Sequence, residues 1–176
     1  LLRPEFDEPS LLRNRTGEIS KILVYFGGGS MDGEILRVSS VLAGLRLRDL
    51  ETTIVLGRTE TSIELAEEIF RLYPSIKTIF SSSNFALLMK EADLAIGTCG
   101  LSAWERCVLG LPAVTVVTAE NQFDDALYLD QLGAIKNLGW VAEVSEKMWQ
   151  NAIIDLVSDP MKVATMSKAG QSTVVN

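Results

Sequence analysis

The sequence of 176 residues has no histidine, and this absence excludes several kinds of chemistry. Histidine is the usual general base near neutral pH and the commonest metal ligand in proteins. Neither a Ser/His/Asp nor a Cys/His nucleophile can be assembled from this chain, and no cluster of side chains has the spacing of a metal site. We therefore expect no metal, no other cofactor and no catalytic residue within the chain itself.

Cysteine, long apolar runs and excess positive charge are also scarce. The two cysteines, Cys99 and Cys107, are too few for a disulfide framework, which fits a reducing, cytoplasmic location. No apolar run approaches the roughly 20 residues of a membrane span, and no signal peptide is visible. A formal net charge of −7 argues against a nucleic-acid partner. Because the chain starts at Leu1 rather than at methionine, we expect a piece of a longer protein.

What the sequence does contain is an alternation of apolar runs with amphipathic stretches. Continuous apolar runs such as 21–26 are typical of strands buried on both faces of a parallel sheet. The pattern predicts an α/β fold, a doubly wound, Rossmann-like parallel sheet of about six strands. Residues 1–20 are interpreted as a linker or lead-in, and residues 21–176 as one domain. The predicted strands are 21–26, 52–56, 76–80, 92–96, 113–117 and 134–138.

Three loops of this fold are candidates for a ligand site. Right-handed crossovers place every strand-to-helix loop at the carboxyl edge of the sheet, and ligands bind there where the strand order reverses. If the order is 3-2-1-4-5-6, the first and fourth strands are neighbours at that point. The loops 27–30 and 98–102 would then face each other across one crevice, with 119–122 beside them.

The loop and helix around Gly100 carry the strongest signal. Free backbone N–H groups at Gly100, Leu101 and Ser102 would begin a helix and suit an anion such as a diphosphate. Glu105, one turn further on, could accept hydrogen bonds from a pair of ribose hydroxyls. Ser102 and Glu105 also spell a capping box, in which each side chain bonds the other residue's N–H. The spacing alone leaves both interpretations open.

The other two loops are less specific. The run Gly27, Gly28, Gly29 and Ser30 is typical of a close backbone approach to phosphate, but also of a tight turn or of a dinucleotide fingerprint. Under the last interpretation, Arg58 after the second strand would suit the 2′-phosphate of NADP.

Four further side chains have two interpretations each. Asn121 and Gln122 could bond a sugar or phosphate oxygen, or simply begin a helix. Trp104 is expected in the core, with base stacking as the alternative. Cys99 is expected to be a small filler, with a reactive thiol at a helix N-terminus as the alternative.

These motifs together resemble a known group of proteins. The run 100–105, then Gly110-Leu111-Pro112, then 120–122 followed by Leu-x-x-x-Gly, is similar to the carboxyl-terminal domain of the UDP-sugar hydrolase of pseudaminic acid biosynthesis. It also resembles the spore-coat polysaccharide proteins of the SpsG group and, more distantly, the MurG-type glycosyltransferases. Residues 2–6 resemble the segment that joins the two halves of the hydrolase.

The resemblance implies a GT-B architecture, in which two Rossmann-like domains hold a UDP-sugar between them. This chain would be the second domain, and its partner would be an N-terminal domain of the same protein. Gly100 to Ser102 would hold the diphosphate, Glu105 the ribose, and residues 81–85 the uracil. Asn121 and Gln122 would lie near the β-phosphate and the sugar, and the 27–30 loop would close the other side.

Three functions remain open on this basis. The main expectation is the UDP-sugar-binding half of a nucleotide-sugar hydrolase that acts in surface-polysaccharide or flagellin-glycan biosynthesis. The alternatives are the donor half of a GT-B glycosyltransferase, and an NADP-binding or non-catalytic nucleotide-sensing module. In every case the chain alone is expected to bind a nucleotide and to turn over little or nothing.

Overall fold

A computed structural model describes residues 3–6, 9–27, 31–45, 47, 49–80 and 84–174. The strands are β1 (Lys21–Tyr25), β2 (Glu51–Leu56), β3 (Ile76–Phe80), β4 (Leu94–Thr98), β5 (Ala113–Val117) and β6 (Ile135–Trp140). The helices are α1 (Asp32–Gly44), α2 (Glu60–Leu72), α3 (Phe85–Glu91), α4 (Leu101–Val108), α5 (Phe123–Gln131), α6 (Glu146–Val157) and α7 (Pro160–Val174). Short 3-10 turns lie at Pro4–Phe6, Pro9–Leu11, Glu120–Gln122 and Val141–Glu143.

All six strands run parallel in one sheet, in the order β3-β2-β1-β4-β5-β6. This order confirms the predicted doubly wound fold and the predicted neighbourhood of the first and fourth strands. Each crossover leaves its loop at the carboxyl edge of the sheet. The strand order reverses between β1 and β4, so Gly27, shortly after β1, lies beside Thr98 at the end of β4.

Both faces of the sheet are covered, which explains the uninterrupted apolar runs. Along β1, Ile22 and Val24 point into a core shared with α1, α2 and α6, whereas Leu23 points into a second core shared with α3, α4 and α5. Side chains alternate between the two faces of a strand, so a strand buried on both faces is apolar along most of its length. Among the described residues, no helix is both long and apolar enough to cross a membrane.

Several element ends differ from the predicted ones. β4 extends to Thr98, two residues beyond its predicted end, because Thr98 still pairs with Val116 of β5. α2 begins at Glu60, and the hydroxyl of Thr59 caps it by accepting a hydrogen bond from the N–H of Ser62 at 3.1 Å. Thr59, and not the nearby Thr61, is therefore the residue that caps this helix.

The lead-in segment packs on the domain through Arg15. This side chain is buried and donates hydrogen bonds to the carbonyls of Met89, Lys90, Ala92 and Leu109. These carbonyls belong to the carboxyl ends of α3 and α4, where helices leave acceptors unpaired. Burial lowers the pKa of Arg15 to about 10, so its charge persists at neutral pH.

Asp93 joins the lead-in to the amino-terminal edge of the sheet. Its carboxylate is 4% exposed and accepts hydrogen bonds from Ser20 N–H (3.0 Å), Ser20 Oγ (2.9 Å), Lys21 N–H (2.9 Å) and Arg13 Nη2 (2.8 Å). Burial alone would raise its pKa. The hydrogen bonds from Ser20 and Lys21, with the charge of Arg13, outweigh burial and hold the pKa of Asp93 below its ordinary value of 3.8.

We expect the Asp93→Asn variant to lose about 1.5–3 kcal/mol of the free energy of unfolding at neutral pH, because hydrogen bonds to a charged group contribute about this much. A lowered carboxyl pKa contributes stability above the ordinary pKa and loses it as the pH falls through the folded-state value. Urea unfolding from pH 7 to about pH 3 should therefore show a smaller acid loss in Asp93→Asn than in the wild type. Exposed Glu51 is the control, and Glu51→Gln should leave the curve unchanged. Equal acid slopes for wild type and Asp93→Asn would contradict this role.

Gly97 lets β1 and β4 approach closely at the reversal point. It pairs with Tyr25, and a β-carbon at Gly97 would overlap the Tyr25 carbonyl oxygen and lie 3.4 Å from Nη1 of Arg106. We expect Gly97→Ala to destabilise the protein by about 3 kcal/mol, because overpacking displaces backbone that cannot yield. Gly57→Ala, where a β-carbon meets nothing within 4 Å, is the matched control in urea unfolding. Equal midpoints for the two variants would show that β1 moves to accommodate the methyl group.

Candidate functional site

A cleft of about 530 Å³ opens at the carboxyl ends of β1, β4 and β5, and we call it the central cleft. It lies where the strand order reverses, which is the place where ligands bind in open parallel sheets. Residues from the lead-in, three strand ends and the first turn of α4 surround it. Its lining residues are Arg3, Tyr25, Phe26, Gly27, Met31, Thr98, Gly100, Leu101, Ser102, Glu105, Thr118 and Gln122.

The structure brings most of the predicted site residues together. Six of them line the central cleft: Gly27, Gly100, Leu101, Ser102, Glu105 and Gln122. The predicted Gly28, Gly29 and Ser30 lie outside the described residues, as do 81–83 of the predicted uracil loop. Asn121 is exposed and does not line the cleft, although Gln122 beside it does. Arg58, the candidate for an NADP phosphate, is exposed and also lies outside the lining.

The start of α4 offers a set of unused donors. Gly100 is the N-cap, and no side chain caps the helix. The N–H of Ala103 reaches the Gly100 carbonyl at 2.8 Å, but within the described part of the chain the N–H groups of Gly100, Leu101 and Ser102 have no hydrogen-bond partner. Free N–H groups at the positive end of a helix dipole are donors of the kind that bind anions in proteins.

Glu105 is held by an arginine rather than by a capping box. Its carboxylate is 1% exposed and pairs with Arg3, with Nε to Oε1 at 2.6 Å and Nη2 to Oε2 at 2.8 Å. Neither Ser102 nor Glu105 caps α4, so the capping-box interpretation is wrong. A carboxylate bound in this two-pronged manner keeps lone pairs for further donors.

A buried arginine, Arg106, lies behind the loop that joins β4 to α4. Arg106 is 1% exposed, and its Nη2 donates to the Thr98 carbonyl at 2.6 Å. Its Nε has no hydrogen-bond partner among the described residues. Burial lowers the pKa of Arg106 below its usual value, but a guanidinium remains charged at neutral pH. A permanent positive charge therefore lies under the loop in an otherwise acidic chain.

Gln122 is oriented by the end of β5. Its Oε1 accepts hydrogen bonds from the N–H of Thr118 at 3.0 Å and from the Thr118 hydroxyl at 3.1 Å. The amide nitrogen Nε2 is thereby turned the other way, and it would lie 3.7 Å from a β-carbon placed on Gly100. Gln122 adds a side-chain donor to the backbone donors of the α4 loop.

Several lining residues were missed in the sequence. Tyr25 is the last residue of β1, and Thr118 is the residue after β5. Their position at strand ends was a usable signal, because carboxyl ends of neighbouring strands meet at one edge. No local pattern marked Arg3, because it lies 102 positions from its partner Glu105. No pattern marked Arg106 behind the loop either, because a charged residue on a helix is usually at the surface.

Trp104 and Cys99 have structural roles in this arrangement. The indole N–H of Trp104 donates to Asp125 at 3.0 Å and joins α4 to α5, and the ring does not line the central cleft. Cys99 is fully buried, and burial raises the pKa of Cys99 and Cys107 to about 11. The thiol of Cys99 is therefore protonated at neutral pH, as a filler residue would be.

Comparison with known proteins places this geometry in a family. The family model described as glycosyltransferase family 28 C-terminal domain matches residues 23–175. The UDP-N-acetylglucosamine--N-acetylmuramyl-(pentapeptide) pyrophosphoryl-undecaprenol N-acetylglucosamine transferase of Rickettsia massiliae (strain Mtu5) is 26% identical over 161 residues, which are 86% of this chain and 42% of that protein. The spore coat polysaccharide biosynthesis protein SpsG of Bacillus subtilis (strain 168) is 26% identical over 140 residues, 79% of this chain and 41% of that protein.

A solved structure supports the same fold. The crystal structure of Anabaena Alr3699/HepE in complex with UDP-glucose matches with a TM-score of 0.68 and 17% identity, over 86% of this chain and 43% of that chain. The predicted resemblances to the SpsG group and to GT-B glycosyltransferases are confirmed, and the resemblance to the pseudaminic acid hydrolase stays a prediction. The chain spans about two fifths of the length of these proteins.

The state of the thiols can be tested directly. In native buffer near pH 8 we expect no reaction of Cys99 or Cys107 with a thiol-specific disulfide reagent over minutes, because both are buried and protonated. Unfolding in denaturant should release both thiols, which provides the internal control. A Cys107→Ala variant isolates Cys99, and its rapid labelling in the native protein would restore the reactive-thiol interpretation.

Proposed function

This chain belongs to the glycosyltransferase family 28 C-terminal domain family, and from that premise we propose that its central cleft binds the nucleotide of a UDP-sugar. One observation carries the proposal. The free amides of Gly100, Leu101 and Ser102, the loop at Gly27 and the carboxylate of Glu105 all face a single cleft at the reversal of strand order.

The α4 loop has the donors that a diphosphate needs. Three backbone N–H groups without a partner among the described residues lie at the start of α4, at the positive end of its dipole, and the side-chain amide of Gln122 lies beside Gly100 in the same cleft. Arg106 behind the loop adds a full positive charge in a buried site, where electrostatic interactions are stronger than in water. The net negative charge of the chain is thus compatible with binding a diphosphate anion.

The other parts of the nucleotide are assigned to the residues around the diphosphate donors. We place the ribose hydroxyls on Glu105, one turn along α4 from the diphosphate donors, and the uracil beside residues 81–85. The loop 27–30 would close the cleft on the opposite side. Gln122, with Asn121 next to it, would lie near the β-phosphate and the sugar.

We propose that the whole protein is a GT-B glycosyltransferase and that this chain is the half that binds the donor nucleotide. The transferase name of the Rickettsia relative and the UDP-glucose complex of the Anabaena structure support this choice. The acceptor and the catalytic base would come from an N-terminal domain of the same protein, because the chain contains no histidine and no other evident base. The domain alone would bind donor nucleotide without turnover.

The UDP-sugar hydrolase is the second candidate. It is favoured by the lead-in at 2–6, which resembles the segment between the two halves of that enzyme, and by the similarity to a spore coat polysaccharide protein. The two candidates differ in whether UDP release from a UDP-sugar requires an acceptor. Full-length protein that releases UDP without any acceptor would favour the hydrolase.

Titration calorimetry with UDP, UMP, CMP and NADP tests nucleotide binding. We expect UDP to bind most tightly and UMP about tenfold more weakly, because UMP lacks the β-phosphate that the α4 amides would hold. Glu105→Gln should weaken UDP binding by about tenfold or more, since hydrogen bonds to a charged acceptor contribute about 1.5–3 kcal/mol. Glu67→Gln, an exposed position on α2, is the matched control.

Two results would contradict the proposal. Binding of NADP that is lost in Arg58→Ala would point to a dinucleotide site. The absence of binding by any of the four nucleotides to folded protein would leave a structural or interaction role.

A further inference from the structure

Among the described residues of the lead-in segment, Arg3 lines the central cleft. Its guanidinium binds both carboxylate oxygens of Glu105, at 2.6 and 2.8 Å, although the two residues are 102 positions apart in the chain. The Glu105 side chain is 1% exposed, whereas 44% of the Arg3 side chain is exposed. The carboxylate proposed for the ribose therefore already has a cationic partner before any nucleotide arrives.

Aromatic rings fix the position of that partner. The Arg3 guanidinium carbon lies 5.0 Å from the ring centroid of Phe6 and 5.3 Å from that of Phe85. Both rings are buried, and Phe85 contacts Tyr25 at the end of β1 with ring centroids 4.6 Å apart. A guanidinium over an aromatic face is held by a cation–π interaction and loses mobility. The lead-in, α3, β1 and α4 thus meet at Arg3.

A ribose that reaches Glu105 can either displace Arg3 or join it. Displacement would break an ion pair whose carboxylate is buried, and the two hydroxyl hydrogen bonds gained would return about as much as the broken pair costs. Joining keeps the pair, because an ionised carboxylate has about four lone-pair sites and Arg3 uses only two of them. Joining is therefore the favourable arrangement.

We propose that Arg3 is a positioning residue of the ribose subsite, which holds the Glu105 carboxylate so that its free lone pairs face the 2′- and 3′-hydroxyls. This inference rests on the proposed binding of a UDP nucleotide. Arg3 acts through Glu105, and the rigid fork of the guanidinium sets the carboxylate plane. Nucleotide binding is in this way coupled to the docking of the lead-in on the domain.

The test compares UDP with 2′-deoxy-UDP by titration calorimetry, on the wild-type chain and on Arg3→Met, Arg3→Lys and the exposed control Arg71→Met. The wild type should prefer UDP about tenfold, which is the size of one hydrogen bond to a charged group. In Arg3→Met this preference should fall towards one, because UDP loses the contacts of both hydroxyls, about tenfold or more, whereas the deoxy analogue loses only that of its 3′-hydroxyl. Arg3→Lys should recover only part of the preference, because an ammonium lacks the fork. Arg71→Met should behave as the wild type.

Other outcomes separate the possible failures. Tighter UDP binding in Arg3→Met would overturn the proposal and make Arg3 a competitor for Glu105. Equal weakening of UDP and its deoxy analogue, or an unchanged preference, would also overturn it, because a merely structural role affects both ligands alike. A wild type that binds neither nucleotide would instead overturn the proposed function itself, and the role of Arg3 with it. If thermal unfolding shows that Arg3→Met is not folded, the partial recovery expected of Arg3→Lys decides the question.

Discussion

The direct pairing of β1 with β4 is the constraint on which the rest of the molecule depends. These two strands connect to helices on opposite faces of the sheet, so no helix can cover the gap between their carboxyl ends. Gly97 keeps the gap narrow, because a side chain there would collide with the backbone of Tyr25. The central cleft is the space that remains, and its walls are strand ends, the loops that follow them, the start of α4 and Arg3 of the lead-in.

The buried arginines of this acidic protein, Arg15 and Arg106, donate hydrogen bonds to backbone carbonyls rather than to carboxylates. Arg15 covers the ends of α3 and α4, and Arg106 binds the carbonyl at the end of β4. A buried cation that binds neutral acceptors keeps its field, whereas a salt bridge would cancel most of it. Arg106 can therefore attract an anion to the loop above it, while Arg15 only fastens the lead-in. Arg3 differs from both, because its partner is the carboxylate of Glu105.

The sheet was readable from the sequence because burial on both faces leaves the central strands β1, β4 and β5 almost entirely apolar. The ends of the elements were harder to predict. The end of β4 is set by its pairing with β5, which the sequence of β4 does not show. The start of α2 could not be chosen from residue type, because Thr59 and Thr61 are equally good helix caps. The cleft was predictable as two loops after β1 and β4, because topology alone brings them together. The partner of Glu105 was not, because 102 residues separate it from Arg3 and no local pattern marks a contact of that range. Arg106 was missed because a charged residue on a helix is usually at the surface.

The unpaired amides at the start of α4 have a consequence for how such a protein tolerates sequence change. Main-chain donors are supplied by every residue type except proline, so most replacements at Leu101 or Ser102 leave the same N–H groups in place. Scanning mutagenesis by alanine would therefore be nearly blind to this part of the cleft. The side chains at these positions could vary while the backbone donors stayed the same. A proline would be the informative replacement, because it removes the backbone N–H.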